Sequence, residues 1–217
     1  MKLEAVLLDL DGTLVDTAPD MVAALNRLLL ERAAPPAPYA LARNQVSNGA
    51  AGLLQLGLGA GATTDAALRQ RYLDIYAENI CNNSRIFNGL ESFFDLISSR
   101  RLRWGVVTNK PAWLTQPLLA KLTPQPPPGC VISGDTLPDR KPHPAPLRLA
   151  AEQLNVRAER CIYVGDSVRD IEAGRAAGMR TIAATYGYIG PGEDIRAWQA
   201  DFTISRPEQL APRIAGL

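Results

Sequence analysis

The chain has 217 residues, 47% of them hydrophobic, which is enough for one large α/β domain or for a core with a smaller insert. Its 23 Lys and Arg nearly balance its 22 Asp and Glu, with no block of like charge. That argues against a nucleic-acid or membrane-surface partner and for a small solute. Cys81, Cys130 and Cys161 are widely spaced and form no C-x-x-C, so neither a disulfide framework nor a zinc site is expected. The single histidine, His143, lies between two prolines and reads as structural, which leaves carboxylates and lysines as the main chemical candidates.

In chain order, the first element is the strand pattern at the start of "AVLLDLDGTLVD", residues 5–10, which closes on Asp9, Asp11 and Gly12. The two acids interrupt any signal-peptide core and no apolar run reaches membrane-spanning length, so a cytoplasmic protein is expected. Thr17, with Pro19 and Asp20 after it, reads as a helix start, and "MVAALNRLLLER" supplies the amphipathic body. "AAPPAPYA" breaks that helix, and "TTDAALRQRYLDIYAENI" resumes a helical period. The Gly-rich segment 57–65, "GLGAGATTD", follows no strand and lacks a Lys-Ser/Thr ending, so it reads as a connection between helices and not as a phosphate loop.

The next strand pattern comes only after roughly ninety residues, far more than one βα connection uses. A helical cap over residues 17–85 is therefore expected to interrupt a core made of residues 1–16 and 86–217. Aliphatic runs then recur at 104–107, 130–133, 161–164, 181–184 and 202–204, separated by helical patterns such as "GLESFFDLISSR", "HPAPLRLAAEQL" and "VRDIEAGRAAG". This alternation predicts an open, doubly wound α/β core with a parallel sheet.

In such a sheet the binding crevice lies beyond the C-terminal ends of the strands. Those ends carry Asp9 and Asp11, then Thr108 and Asn109, then Gly165 and Asp166, while Lys141 is expected to open a helix after the third run. A side-chain period of two would put Asp9 and Asp11 on one side, and Gly12 permits a tight turn beside them. Clustered carboxylates repel, and a hard cation with oxygen ligands, such as Mg²⁺, is the usual remedy. A phosphate ester suits that cation, with one aspartate attacking phosphorus and the other giving a proton to the leaving alcohol.

"DLDGT", "VVTNK", "RKPHP" and "GDSVRD", in this order and with a helical insert directly after the first, resemble the motif set of the haloacid dehalogenase superfamily of phosphohydrolases. The resemblance implies Asp9 as nucleophile and Asp11 as general acid, then base. It places Mg²⁺ on Asp9, the main-chain carbonyl of Asp11 and Asp166. It also implies phosphoryl contacts from Thr108 and the amide of Asn109, and charge neutralisation by Lys141. Asp170 is expected to orient Lys141 or a metal-bound water, although an acid at a helix start has an equal structural use.

By analogy with the cap loop of phosphoglycolate phosphatases, Arg43, Asn44, Ser47 and Asn48 are the expected leaving-group contacts. Turn chemistry is their competing role. The small helical cap suits a small phosphorylated metabolite, handled by a monomer or homodimer. The chain looks most like the phosphoglycolate phosphatase branch, while "RWGVVTNKP" and "ATYGYIGPGED" are also similar to N-acetylmuramic acid 6-phosphate phosphatases. A phosphomutase would share the core residues. A dehalogenase would need neither Asp11 nor magnesium, and a silent binding protein would not need every catalytic position filled.

Overall fold

The computed structural model describes residues 2–217. Strand β1 (Ala5–Leu8) is followed by the two-residue strand β2 (Val15–Asp16) and by helices α1 (Ala18–Glu31), α2 (Tyr39–Arg43), α3 (Gly49–Leu58) and α4 (Ala66–Glu78). A second two-residue strand, β3 (Arg85–Ile86), closes this excursion. Strands and helices then alternate as α5 (Glu91–Arg100), β4 (Arg103–Val107), α6 (Ala112–Leu122), β5 (Cys130–Ile132), α7 (Ala145–Gln153), β6 (Cys161–Gly165), α8 (Val168–Ala176) and β7 (Arg180–Ala184). Strand β8 (Phe202–Ile204) and helix α9 (Leu210–Ala215) end the chain.

Six strands form one parallel sheet in the order β5-β4-β1-β6-β7-β8. Strand β1 is central because its aliphatic residues are wholly buried on both faces, as a parallel strand flanked by helices requires. Val6 and Leu8 join Val106, Ile162, Val164 and Ile182 in one core, whereas Ala5 and Leu7 face Ile132, Leu147 and Tyr163 in the other. Chain order runs outward from β1 in both directions, and this reversal opens a crevice at its C-terminal end.

Helices α1 to α4 all lie between β2 and β3, which pair antiparallel as a two-stranded ribbon, Val15 opposite Ile86 and Asp16 opposite Arg85. The ribbon left no mark in the sequence pattern because two residues are too few to show alternation. Helix α1 begins where Thr17, Pro19 and Asp20 predict, but the two polar side chains are used differently from a capping pair. Thr17 precedes α1, but its side chain makes no capping bond. Asp20, 2% exposed, instead accepts hydrogen bonds from the Asn83 and Ser84 amides and from the Ser84 hydroxyl, across the returning chain. The carboxylate thus ties the first turn of α1 to the segment that re-enters the core.

Candidate active site

Strand β1 stops at Leu8, two residues before its aliphatic run ends, so Asp9 and Asp11 sit in a loop and not on one continuing strand. The Asp9 amide still donates to Val164 O at 2.9 Å, which holds its carboxyl at the sheet's edge. Asp11 lies in an isolated bridge with Val15, and the Gly12 amide donates to Val15 O at 2.9 Å, so the loop folds back on itself. Gly12 has φ +85°, and a Cβ there would run into the Asp166 carboxylate. Glycine is needed at this position for both reasons.

Lys141 lies in a turn four residues ahead of α7, not at the helix start, and is 5% exposed. Its ammonium donates to Asp9 Oδ1 at 2.8 Å, Asp170 Oδ1 at 2.7 Å, the Tyr163 hydroxyl at 2.7 Å and Val107 O at 2.9 Å. Burial works against the charge, but Asp170 and Asp9 outweigh it and hold the Lys141 pKa above its usual value. The Asn109 side chain clamps this turn by donating to Lys141 O at 3.0 Å and accepting from Lys141 N at 3.1 Å. Asp170 serves twice, since its other oxygen accepts from the Ser167 amide and hydroxyl in a capping box at the start of α8. The same carboxylate thus bonds both to Lys141 and to the start of α8. Thr108, 4% exposed at the end of β4, accepts from the Lys110 amide at 3.1 Å and does not cap α6.

Asp166, after β6, accepts from the Ser47 hydroxyl at 2.7 Å and the Tyr188 amide at 2.8 Å, with Thr13 at 3.4 Å. Oxygens of Asp9, Asp166 and Asp170 lie within 4.8 Å of one another. Burial pushes Asp9 up to about 8, against the pull of Lys141 and with Asp170 and Asp166 adding to the rise. Burial, with Asp170 adding, pushes Asp166 up to about 7 despite its bonds from Tyr188 and Ser47. One ammonium thus faces three carboxylates, Asp166 and Asp170 buried and Asp9 partly so. An all-oxygen donor set short of positive charge fits a hard divalent cation such as Mg²⁺.

Lys110, part of "VVTNK" but not singled out in the sequence, carries the other half of the site. Its ammonium donates to both oxygens of Asp11, at 3.0 and 3.2 Å, and stands 4.6 Å from the centre of the Tyr76 ring on α4. Thr17 adds a hydroxyl donor to Asp11 Oδ1 at 2.6 Å. Asp9 and Asp11 are therefore held by different lysines. A lysine in the strand-end motif beside the expected Thr108 and Asn109 was the available signal, but only the fold shows that it reaches the loop after β1.

A cavity of about 350 Å³ opens above these groups, between the core loops and α1, α3 and α4. Ser47, Asn48, Tyr72 and Tyr76 line it from one side, and Asp9, Asp11, Thr108, Asn109, Lys110 and Lys141 from the other. Arg43 and Asn44 are not on its wall. The Arg43 guanidinium donates to the carbonyls of Gly187 and Tyr186, at 3.1 and 3.4 Å, and lies over the Tyr188 ring. It holds the end of α2 against the loop after β7. Ser47 is spent on Asp166, and Asn48 accepts from Arg169 at 3.3 Å. The Tyr76 hydroxyl is buried and has no hydrogen-bond partner among the described residues.

A family model described as haloacid dehalogenase-like hydrolase matches residues 6–184, a span that takes in all four motif segments. The chain belongs to the haloacid dehalogenase-like hydrolases. The phosphoglycolate phosphatase of Xanthomonas campestris pv. campestris is 43% identical over 210 residues, covering 95% of this chain and 94% of its own. The N-acetylmuramic acid 6-phosphate phosphatase of Pseudomonas putida is 38% identical over 212 residues, covering 97% and 95%. A crystal structure described as a predicted phosphoglycolate phosphatase from Haemophilus somnus superposes with a TM-score of 0.86 at 26% identity, covering 98% of each chain. Within the haloacid dehalogenase-like hydrolases the present chain is a phosphatase. No helix among the described residues is long and apolar enough to cross a membrane.

Proposed function

We propose that this haloacid dehalogenase-like hydrolase cleaves a small phosphomonoester through a phosphoryl group carried transiently on Asp9, with residues 17–85 acting as a cap over the site. The observation that carries the reading is the separate support of the two acids. Asp9 is held by Lys141 and Asp11 by Lys110 and Thr17, so one carboxylate is placed to attack while the other handles a proton.

In this scheme an oxygen of Asp9 bonds to phosphorus as the bond to the leaving oxygen breaks, and Asp11 gives that oxygen its proton. Water then attacks the same phosphorus, its proton goes to Asp11, and the bond to Asp9 breaks to release phosphate. Thr108 and the Asn109 amide would hold phosphoryl oxygens while Lys141 offsets their charge. Asp9, Asp166 and the carbonyl of Asp11 would hold Mg²⁺, which supplies Lewis-acid neutralisation of the phosphoryl charge when bound. Asp170 keeps Lys141 aimed at Asp9.

Two substrates stand out. The relative at 43% identity favours 2-phosphoglycolate. N-acetylmuramic acid 6-phosphate is favoured by the relative at 38% and by a cavity of about 350 Å³, within the range that takes whole sugar-sized ligands. Phosphate release from both esters and from common sugar phosphates, with Mg²⁺ and then EDTA, separates the two. The Asp9→Asn variant is expected to fold and release nothing above background; full turnover by it would sink the scheme. Wild type releasing no phosphate from any ester would remove the hydrolase assignment of substrate class altogether.

A further inference from the structure

Polar contacts between residues 17–85 and the core gather around one carboxylate, that of Asp166, which is 1% exposed. From a 3-10 turn, Val46–Asn48, set between α2 and α3, the Ser47 hydroxyl donates to Asp166 Oδ2 at 2.7 Å. Arg169, in the first turn of α8, donates to Ser47 O at 2.6 Å and to Asn48 Oδ1 at 3.3 Å. Arg43 lies over the ring of Tyr188, whose own amide donates to the same Oδ2 at 2.8 Å. One oxygen of Asp166 is thus held from both sides of the junction, while Oδ1 has only the Thr13 hydroxyl, at 3.4 Å. Val46, buried in the main hydrophobic core, anchors the turn that presents Ser47.

We infer that Ser47 is a positioning residue for the metal: it holds Asp166 by Oδ2 and leaves Oδ1 for the cation, so that Mg²⁺ binding and docking of the turn 46–48 on the core strengthen each other. This rests on the placing of Mg²⁺ on Asp166 proposed above, and it gives Ser47 a role that needs contact with neither the phosphoryl group nor the alcohol. Groups hydrogen-bonded to a ligating carboxylate fix its rotation and thereby set metal affinity. Among the described residues Ser47 is the one such donor to Asp166 that residues 17–85 supply. If the turn lifts away, Asp166 loses that donor and the cation is held less well. By linkage, the cation then favours the docked turn by the same factor. A serine that competed with the cation for Asp166 would carry the opposite sign, since its removal would tighten metal binding.

The test uses Mg²⁺ alone, without substrate. Calorimetric titration should give Ser47→Ala a Kd about tenfold or more above that of wild type, the usual scale for losing a group bonded to a metal ligand. Asn48→Ala, which removes the Arg169 contact to the same turn but leaves the Asp166 bond in place, should keep the wild-type affinity. Saturating Mg²⁺ should slow amide hydrogen exchange over residues 43–49 in wild type and not in Ser47→Ala. The inference is overturned by a Ser47→Ala affinity equal to or tighter than wild type, by an equal loss in Asn48→Ala, or by wild-type exchange that ignores Mg²⁺. Asp166→Asn separates this from the metal placing itself. If that variant binds Mg²⁺ as well as wild type does, the placing fails and takes the inference with it; if it loses the ion while Ser47→Ala keeps it, the inference alone fails.

Discussion

Lys110 links the acid after β1 to helix α4, since its ammonium grips Asp11 and faces the Tyr76 ring. Lys110 is only 8% exposed, and its ammonium is satisfied by a carboxylate and an aromatic face together. Lys110→Met should leave Asp11 held by Thr17 alone and lower kcat by about tenfold or more, part of what a positioned general acid contributes. The loss should be larger for alkyl phosphates than for p-nitrophenyl phosphate, whose leaving group needs no proton. An equal loss on both would make Lys110 merely structural. Arg43 teaches the opposite lesson at the same scale. A charged residue at a plausible place in the chain proves to be spent on two carbonyls.

At the level of elements, the junctions around β2 and β3 decide how helices α1 to α4 are attached. The Tyr188 hydroxyl accepts from the Thr17 and Ala18 amides, at 2.6 and 2.9 Å, and donates to Asp16 at 2.7 Å, so the loop after β7 satisfies the first amides of α1. Asp20 performs the matching task for the returning strand. Asp20→Ala would strand the Asn83 and Ser84 amides and the Ser84 hydroxyl in a buried place. The expected cost is about 3 kcal/mol, which for a chain of this size lowers Tm by roughly 6 to 12 °C in a thermal melt. A shift under about 2 °C would mean that water replaces the carboxylate.

For the whole molecule, the imbalance of three carboxylates against one ammonium makes stability depend on pH and on cation. Asp9 and Asp166 have their folded pKa values raised to about 8 and about 7 from 3.8, so the folded state binds more protons than the unfolded state between those limits. Stability of metal-free protein should therefore fall as pH rises from about 4 to about 8. Saturating Mg²⁺ binds only the folded protein and should raise Tm, most strongly at the upper end of that window. Chemical denaturation at several pH values with EDTA or Mg²⁺ checks both statements. A metal-free stability that rises across the window would contradict the charge imbalance.

The order of the six sheet strands and the long helical excursion after the first of them were legible in the sequence, as was the placing of Asp9, Asp11, Thr108, Lys141 and Asp166 at or just beyond strand ends. Aliphatic runs and motif spacing are local properties, and a parallel sheet translates them directly into a shared edge. The partners of those residues were not legible. Lys110 meets Asp11 across 99 positions, Ser47 meets Asp166 across 119, and Lys141 meets Asp9 across 132. Nothing local distinguishes Arg43, which is committed to backbone carbonyls, from Arg69 and Arg140, which border the cavity with no ion pair among the described residues. Which charges are spent and which remain for a ligand depends on where the backbone brings distant groups within hydrogen-bonding reach, and only the tertiary structure decided that.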